Sequence, residues 1–65
     1  MRVEIELEED GRWIGEVPAL PGVVVYGATA EEARAKAEAL ALRVIADRLE
    51  NGEPVPPEAR ELFAA

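Results

Sequence analysis

The sequence predicts an α+β fold: a three-stranded antiparallel sheet with one long helix packed on one face of it. Two observations carry this prediction. Short alternating or β-branched apolar runs fill residues 2–26, as is typical of strands. One continuous helix-forming segment, residues 29–51, follows and is the only segment long enough to cover a sheet. We therefore expect the order β-β-β-α, completed by a short C-terminal helix.

The first two strands are predicted to form a hairpin. In residues 2–8 apolar and charged side chains alternate, which indicates a half-buried strand. Residues 9–11 read Glu-Asp-Gly, and a three-residue hairpin loop favours Gly in its last position. This loop places Leu7 opposite Trp13. A slip of one residue would put Glu16 in the core, so the pattern itself selects this register.

Trp13 has two interpretations. It is either an interface anchor or stacking platform, or a structural side chain that caps the edge of the core. In the second case, which we favour, it covers the space left by the absent side chain of Gly15.

The third strand follows a stiff connection. The two prolines in residues 17–22 favour extended backbone, and Leu20 between them is expected to fill one end of the core. The β-branched and aromatic run at residues 23–26 is typical of a strand covered on both faces. One face meets the helix. The other meets a partner subunit or leaves an exposed apolar patch, formed by Ile14, Val24 and Tyr26.

The helix has a clear start and end. Thr29 with Glu32 three residues later forms a capping-box pattern, and Gly52 supplies the left-handed residue that ends a helix. At about 100° per residue, one apolar stripe faces the sheet: Ala33, Ala37, Leu40, Ala41 and Val44. A second strip lies elsewhere on the helix: Leu42, Ile45 and Leu49. One sheet cannot cover both, so we expect the second strip to pack on another chain or on the C-terminal segment.

The C-terminal segment contains three prolines. Residues 53–56 are predicted to be extended, with a short fourth strand left open as an alternative. A brief helix is expected over residues 57–63 and carries Leu62 and Phe63 on one side. So short a helix is stable only when docked. The strip of Leu42, Ile45 and Leu49, in the same chain or a neighbour, is the nearest apolar surface.

Composition narrows the function classes. The 65 residues are expected to form one domain with a thin core, since 12 of the hydrophobic residues are Ala. There is no Cys or His, and the net charge is −7. We therefore expect no disulfide or thiolate site, no direct nucleic-acid binding and no membrane span. With no signal peptide visible, we expect a cytoplasmic protein that gains burial by forming a dimer or tetramer with itself.

The acidic residues do not form a recognisable catalytic pattern. A metal-dependent nuclease needs acids that converge in a dry cleft, whereas the strand acids here alternate onto the outward, solvated face. We expect no enzyme activity, no cofactor, no metal and no small-molecule substrate. The candidate partner-facing acids are Glu4, Glu6 and Glu16.

Several motifs occur together in the order expected of one family. Residues 16–23 read Glu-Val-Pro-Ala-Leu-Pro-Gly-Val, residues 27–29 read Gly-Ala-Thr, and residues 31–33 read Glu-Glu-Ala. With residues 10–13 and 51–56 beside them, the chain resembles the HicB-like antitoxin family. The resemblance implies a partial ribonuclease-H-like arrangement and a dimer or higher oligomer. It also implies a partner, a HicA-like toxin, which is a small basic mRNA-cleaving protein that the antitoxin masks.

The chain departs from the family pattern in two ways. Many members carry a C-terminal DNA-binding module, and these 65 residues have no room for one, so we expect no autorepression by this chain alone. Ala19 stands where the family usually has an acid. The ribonuclease-H likeness does not imply activity, because no catalytic residues of that kind align. The alternative is an orphan oligomeric module of the family with another protein partner.

Overall fold

The three strands lie side by side in the order in which the chain makes them. The computed structural model describes residues 1–63. Its elements are β1 (Glu4–Leu7), β2 (Trp13–Glu16), β3 (Val24–Gly27), α1 (Ala30–Glu50) and α2 (Pro57–Arg60). The sheet is antiparallel with the order β1-β2-β3, and α1 packs across it. The predicted α+β class is therefore confirmed.

The β1–β2 hairpin has the predicted register. Leu7 lies opposite Trp13, and Gly11 in the loop has a φ of 88°. The backbone N–H of Glu8 donates to the carbonyl of Arg12 at 2.7 Å, which closes a loop of three residues. A positive φ is the conformation that Gly adopts without steric penalty, so the Gly position fixes the loop length and hence the register.

The connection from β2 to β3 is held by its own backbone. The Val17 N–H donates to the Val23 carbonyl at 3.1 Å, and the Leu20 N–H donates to the Val17 carbonyl at 2.9 Å. These bonds turn the Leu20 side chain inward, where it is 0% exposed. Leu20 therefore fills the core, as its position between two prolines predicted.

Helix α1 lies unusually close to β2 and β3. A Cβ built on Gly15 would come within 2.7 Å of the Ala33 carbonyl oxygen, and one on Gly27 within 2.6 Å of the Ala33 nitrogen. The atoms nearest to that Gly15 position all belong to α1. The interpretation of Trp13 as the cover of Gly15 is therefore wrong: the helix itself covers Gly15, and Trp13 is half-buried beside it.

The helix begins and ends where the sequence predicted. The Glu32 N–H donates to the Thr29 Oγ1 at 3.0 Å, and the Glu32 carboxylate pairs with the Lys36 amine at 3.0 Å. At the other end Gly52 has a φ of 68°. The Glu53 N–H then donates to the Arg48 carbonyl at 2.8 Å, which satisfies one of the last carbonyls of the helix.

The core is small and aliphatic. Within residues 1–63 no polar or charged side chain is buried. The buried cluster consists of Val17, Leu20, Val23, Ala37, Ala41, Ile45 and Ala59. Half-buried side chains, including Leu40 and Val44, pack around it. The predicted sheet-facing stripe of α1 is therefore confirmed, with its Ala members innermost.

The C-terminal segment differs from the prediction. Helix α2 ends at Arg60 rather than at residue 63, because the following backbone makes single turns: Leu62 donates to Ala59 and Phe63 donates to Arg60. Such three-residue turns do not extend into a stable helix. Ala59, 2% exposed, docks α2 on the core. In the described part of the chain, residues 53–56 form no fourth strand.

Candidate functional site

The sheet has one face that α1 does not cover. Strand pairing places Glu4, Glu16 and Val24 in one row across the sheet and Glu6, Ile14 and Tyr26 in the next. Because side chains alternate along a strand, these two rows lie on the face opposite α1. Val24 is 40% and Tyr26 42% exposed, and Ile14 is half-buried. We call these six residues the open sheet face.

The acids of the open sheet face are largely uncompensated. Glu4 lies directly opposite Glu16, and like charges in that position destabilise a sheet. The Arg2 Nη2 lies 3.0 Å from the Glu4 Oε2. Within residues 1–63, Glu6 and Glu16 have no ion-pair partner. A cation supplied by another molecule would relieve this repulsion, so the face is chemically suited to a basic surface.

Arg12 lies at the border of the apolar side of the open sheet face. The Arg12 guanidinium lies 4.3 Å from the centre of the Tyr26 ring, a cation–π distance. The Arg12 Nε also lies 2.7 Å from the Asp10 Oδ2. The pKa of Asp10 is held below its usual range by Arg12. The largest cause is the hydrogen bond from the Arg12 backbone N–H, and the hydrogen bond and positive charge of the guanidinium add to it. The positive charge of Arg12 therefore interacts with Asp10 and Tyr26 and does not neutralise the acids of the open sheet face.

The outer edge of β3 is partly capped. The hydrogen bond from the Val17 N–H to the Val23 carbonyl makes these two residues a hydrogen-bonded pair of the ladder. Bonded and non-bonded pairs alternate along an antiparallel ladder, so the N–H and C=O groups of Val24 and Tyr26 point away from β2, towards the free edge. There the Lys36 amine donates to the Tyr26 carbonyl at 3.2 Å, and the Val24 N–H donates to Gly22. The Lys36 bond links the helix to the edge strand. Both bonds occupy backbone groups that a further strand would need for pairing.

A second uncovered surface lies on α1 and the C-terminal segment. Its large apolar residues are exposed to these extents: Leu42 57%, Leu49 37%, Leu62 57% and Phe63 67%. Ile45, predicted to belong to this surface, is only 4% exposed. It continues the buried series Ala33, Ala37 and Ala41 at the next four-residue step and joins the core cluster with Ala59. Ile45 is thus a core residue and offers no surface to another chain.

A groove of about 320 Å³ runs beside this second surface. Its walls are mainly apolar and come from the start of the chain, from Val17, from α1 and from the C-terminal segment, with Glu38 and Glu58 among the lining residues. Leu42 and Leu62 both line it. The sequence therefore correctly identified α1 as the surface that the C-terminal segment approaches, but α2 covers it only in part.

Within residues 1–63, metal-binding clusters and membrane-spanning helices are both absent. No group of three or more acidic side chains is arranged there to hold a metal ion. Over the same range, no helix combines the length and the apolar character needed to cross a membrane.

The side-chain contacts of Arg12 and Lys36 with Tyr26 were missed by sequence reasoning. The register brings the end of the hairpin loop near Tyr26, but it does not determine the direction of the Arg12 side chain and says nothing of Lys36.

Comparison of the chain with protein-family models, with curated proteins and with solved structures found no match.

Proposed function

We propose that this protein is a non-catalytic, antitoxin-type protein of the cytoplasm that binds and masks a small basic mRNA-cleaving partner, a HicA-like toxin. The observation that carries the proposal is the open sheet face, where Glu4, Glu6 and Glu16 lie beside exposed apolar side chains on one uncovered surface. The motif resemblance supplies the class of partner.

The chemistry of the face fits both steps of such binding. The carboxylates of the face, of which Glu6 and Glu16 have no ion-pair partner within residues 1–63, attract a basic protein over distances of about a Debye length and raise its association rate. Val24 and Tyr26 then provide apolar area, and aromatic residues are common anchors at protein interfaces. An RNA-cleaving protein needs a positive surface to bind its substrate, so covering that surface blocks its activity without any chemistry by the antitoxin.

The test is inhibition of RNA cleavage. The full chain is added to the small basic ribonuclease encoded beside it, and to a HicA-like toxin, and both cleavage and binding are measured. The triple variant Glu4→Gln, Glu6→Gln, Glu16→Gln should bind about 10- to 100-fold more weakly at low salt, if each exposed ion pair contributes about 0.5–1 kcal/mol.

A matched control removes three acids elsewhere. Glu9→Gln, Glu50→Gln and Glu53→Gln together change the net charge equally but lie outside the open sheet face. This variant should bind almost as well as the wild type. Equal weakening by both triple variants would show a non-specific charge effect. A wild-type chain that inhibits neither ribonuclease refutes the proposal.

The second candidate is an oligomeric interaction module with a different protein partner. The exposed surface of Leu42, Leu49, Leu62 and Phe63 favours it, since apolar area of this kind is commonly buried against another chain. Self-association belongs to both candidates. They differ in whether the neighbouring gene encodes a basic ribonuclease.

A further inference from the structure

Helix α1 carries a regular apolar seam on its outward side. Five exposed residues follow one another at steps of four, three, four and three: Ala35, Ala39, Leu42, Ala46 and Leu49. This is the spacing of the a and d positions of a coiled coil, with Ala39 and Ala46 at a and Leu42 and Leu49 at d. The sheet contacts a different side of the helix, through the series that includes Ala37 and Ala41. The seam is therefore available to a second helix.

The charges on both sides of the seam fit a second copy of the same helix. In a parallel pair, each g residue meets the e residue five positions further along the partner helix. Here Glu31 would meet Lys36 of a second copy, and Glu38 would meet its Arg43. Both contacts join opposite charges, and the two-fold symmetry repeats each of them. An antiparallel pair that aligned Leu42 with Ala46 of the second copy would instead bring the two Arg43 residues close together.

Three of the four charged residues in these contacts are accessible, whereas Lys36 already pairs with Glu32 and donates to the Tyr26 carbonyl, so the contact between Glu38 and Arg43 carries the argument. Within the described chain Glu31 and Arg43 form no ion pair, and Glu38 makes only a 3.6 Å contact with Arg34. Leu42, the central residue of the seam, is 57% exposed. Leu42 therefore offers apolar area at the centre of the seam, between the charges that flank it.

We infer that two copies of this chain associate through α1 as a parallel two-helix pair, with Leu42 and Leu49 at its centre. This inference specifies the self-association that the proposed function includes. It rests on that self-association and does not depend on the masking of a toxin. Because the open sheet face lies on the other side of the sheet, the dimer would carry two such faces on its outside. Ala at the a positions provides little apolar area, so the association is expected to be weak.

Sedimentation of the isolated full chain between about 10 μM and 1 mM tests the dimer, a range chosen for a weak complex. We expect a concentration-dependent dimer. Leu42→Glu should remain monomeric throughout, while Val24→Lys, which places a charge on an exposed apolar residue of the open sheet face next to Glu16, should dimerise like the wild type. Circular dichroism checks that both variants stay folded. A wild type that remains monomeric at 1 mM, or a Leu42→Glu variant that still dimerises, overturns the inference.

A charge swap tests the flanking contacts. Arg43→Glu alone should weaken the dimer, because it faces Glu38 of the second copy, and adding Glu38→Arg should restore it. Failure of the double variant to recover would contradict the parallel arrangement.

Cross-linking tests the direction of the pair, and the absence of Cys from the chain makes it direct. Leu42→Cys should form disulfide-linked dimers with itself on oxidation, since equivalent d residues meet in a parallel pair. Val24→Cys should not. Preferential linkage between Leu42→Cys and Ala46→Cys chains in a mixture would show an antiparallel pair and refute the proposal. None of these measurements uses a toxin, so the dimer and the masking can fail independently.

Discussion

Two glycines set the distance between the helix and the sheet. Gly15 on β2 and Gly27 on β3 both lie under Ala33, and either would clash with its backbone if it had a Cβ. Backbone atoms on both sides leave little freedom to relax, in contrast to a clash with the end of a flexible side chain. The close approach lets small Ala residues fill the interface, which explains how a chain with few large apolar residues still forms a core.

Gly15→Ala tests this close approach. The added methyl group would lie 2.7 Å from the Ala33 carbonyl oxygen, so the helix must shift. We expect the free energy of unfolding to fall by about 1–3 kcal/mol, the usual range for overpacking, measured by urea denaturation. Gly11→Ala separates the two causes: nothing lies within 4 Å of its Cβ, so any loss of stability there comes from its φ of 88° alone. Full stability of Gly15→Ala would contradict the packing described.

At the scale of the elements, the start of α1 depends on one hydroxyl. The Thr29 Oγ1 accepts the hydrogen bond of the Glu32 N–H, a donor that has no partner inside the helix. Thr29→Ala should lower stability by about 1 kcal/mol, seen as a fall of about 4–8 °C in Tm for a domain of this size. Thr29→Ser keeps the acceptor and should stay close to the wild type. Equal losses in both variants would assign the effect to the methyl group.

The elements themselves could be predicted because their signals are local. The alternation before Gly11, the Gly at the loop end and the cap at Thr29 each act within a few residues, so strand order, register and helix ends follow from them. The burial of Ile45 could not be predicted from local signals. Its angle on the helix lies between the core stripe and the outward seam, and its burial depends on where Val17 and Ala59 pack in three dimensions.

In the candidate site, too, some features could be predicted from the sequence and others could not. That Glu4, Glu6 and Glu16 share a face with Val24 follows from alternation and register alone. The positions of Arg12 and Lys36 around Tyr26 do not, because long side chains select among many rotamers according to their surroundings.

At the scale of the whole molecule, the contribution of Glu32 to stability should decrease in acid. The pKa of Glu32 is held below its usual 4.5 by hydrogen bonding and charge from Lys36, with the Ala28 backbone as a further cause. A carboxyl with a lowered folded-state pKa stabilises the fold above its unfolded pKa, and this stabilisation is lost as pH falls through the folded value. The contribution of Glu32 is therefore present at pH 6 and disappears towards pH 3.

Comparison of Tm between the wild type and Glu32→Gln isolates this contribution. The wild type should melt higher at pH 6, and the difference should shrink as the pH approaches 3. Lys36→Gln, which removes the main cause of the shift but keeps Glu32, should show the same convergence with the wild type. A difference that stays constant from pH 6 to pH 3 would mean that the ionisation of Glu32 does not contribute.

The order of the elements has a consequence for the chain during its synthesis. The three strands end at Gly27, whereas the helix that covers them is complete only at Glu50. At about 5–20 residues per second, about one to five seconds separate the synthesis of the last strand from that of the end of the helix. During that interval the charged residues of β1 and β2 act as gatekeepers, since flanking charges keep exposed strands from aggregating. The glutamates that face a partner in the finished protein would thus also keep the nascent chain apart from its neighbours.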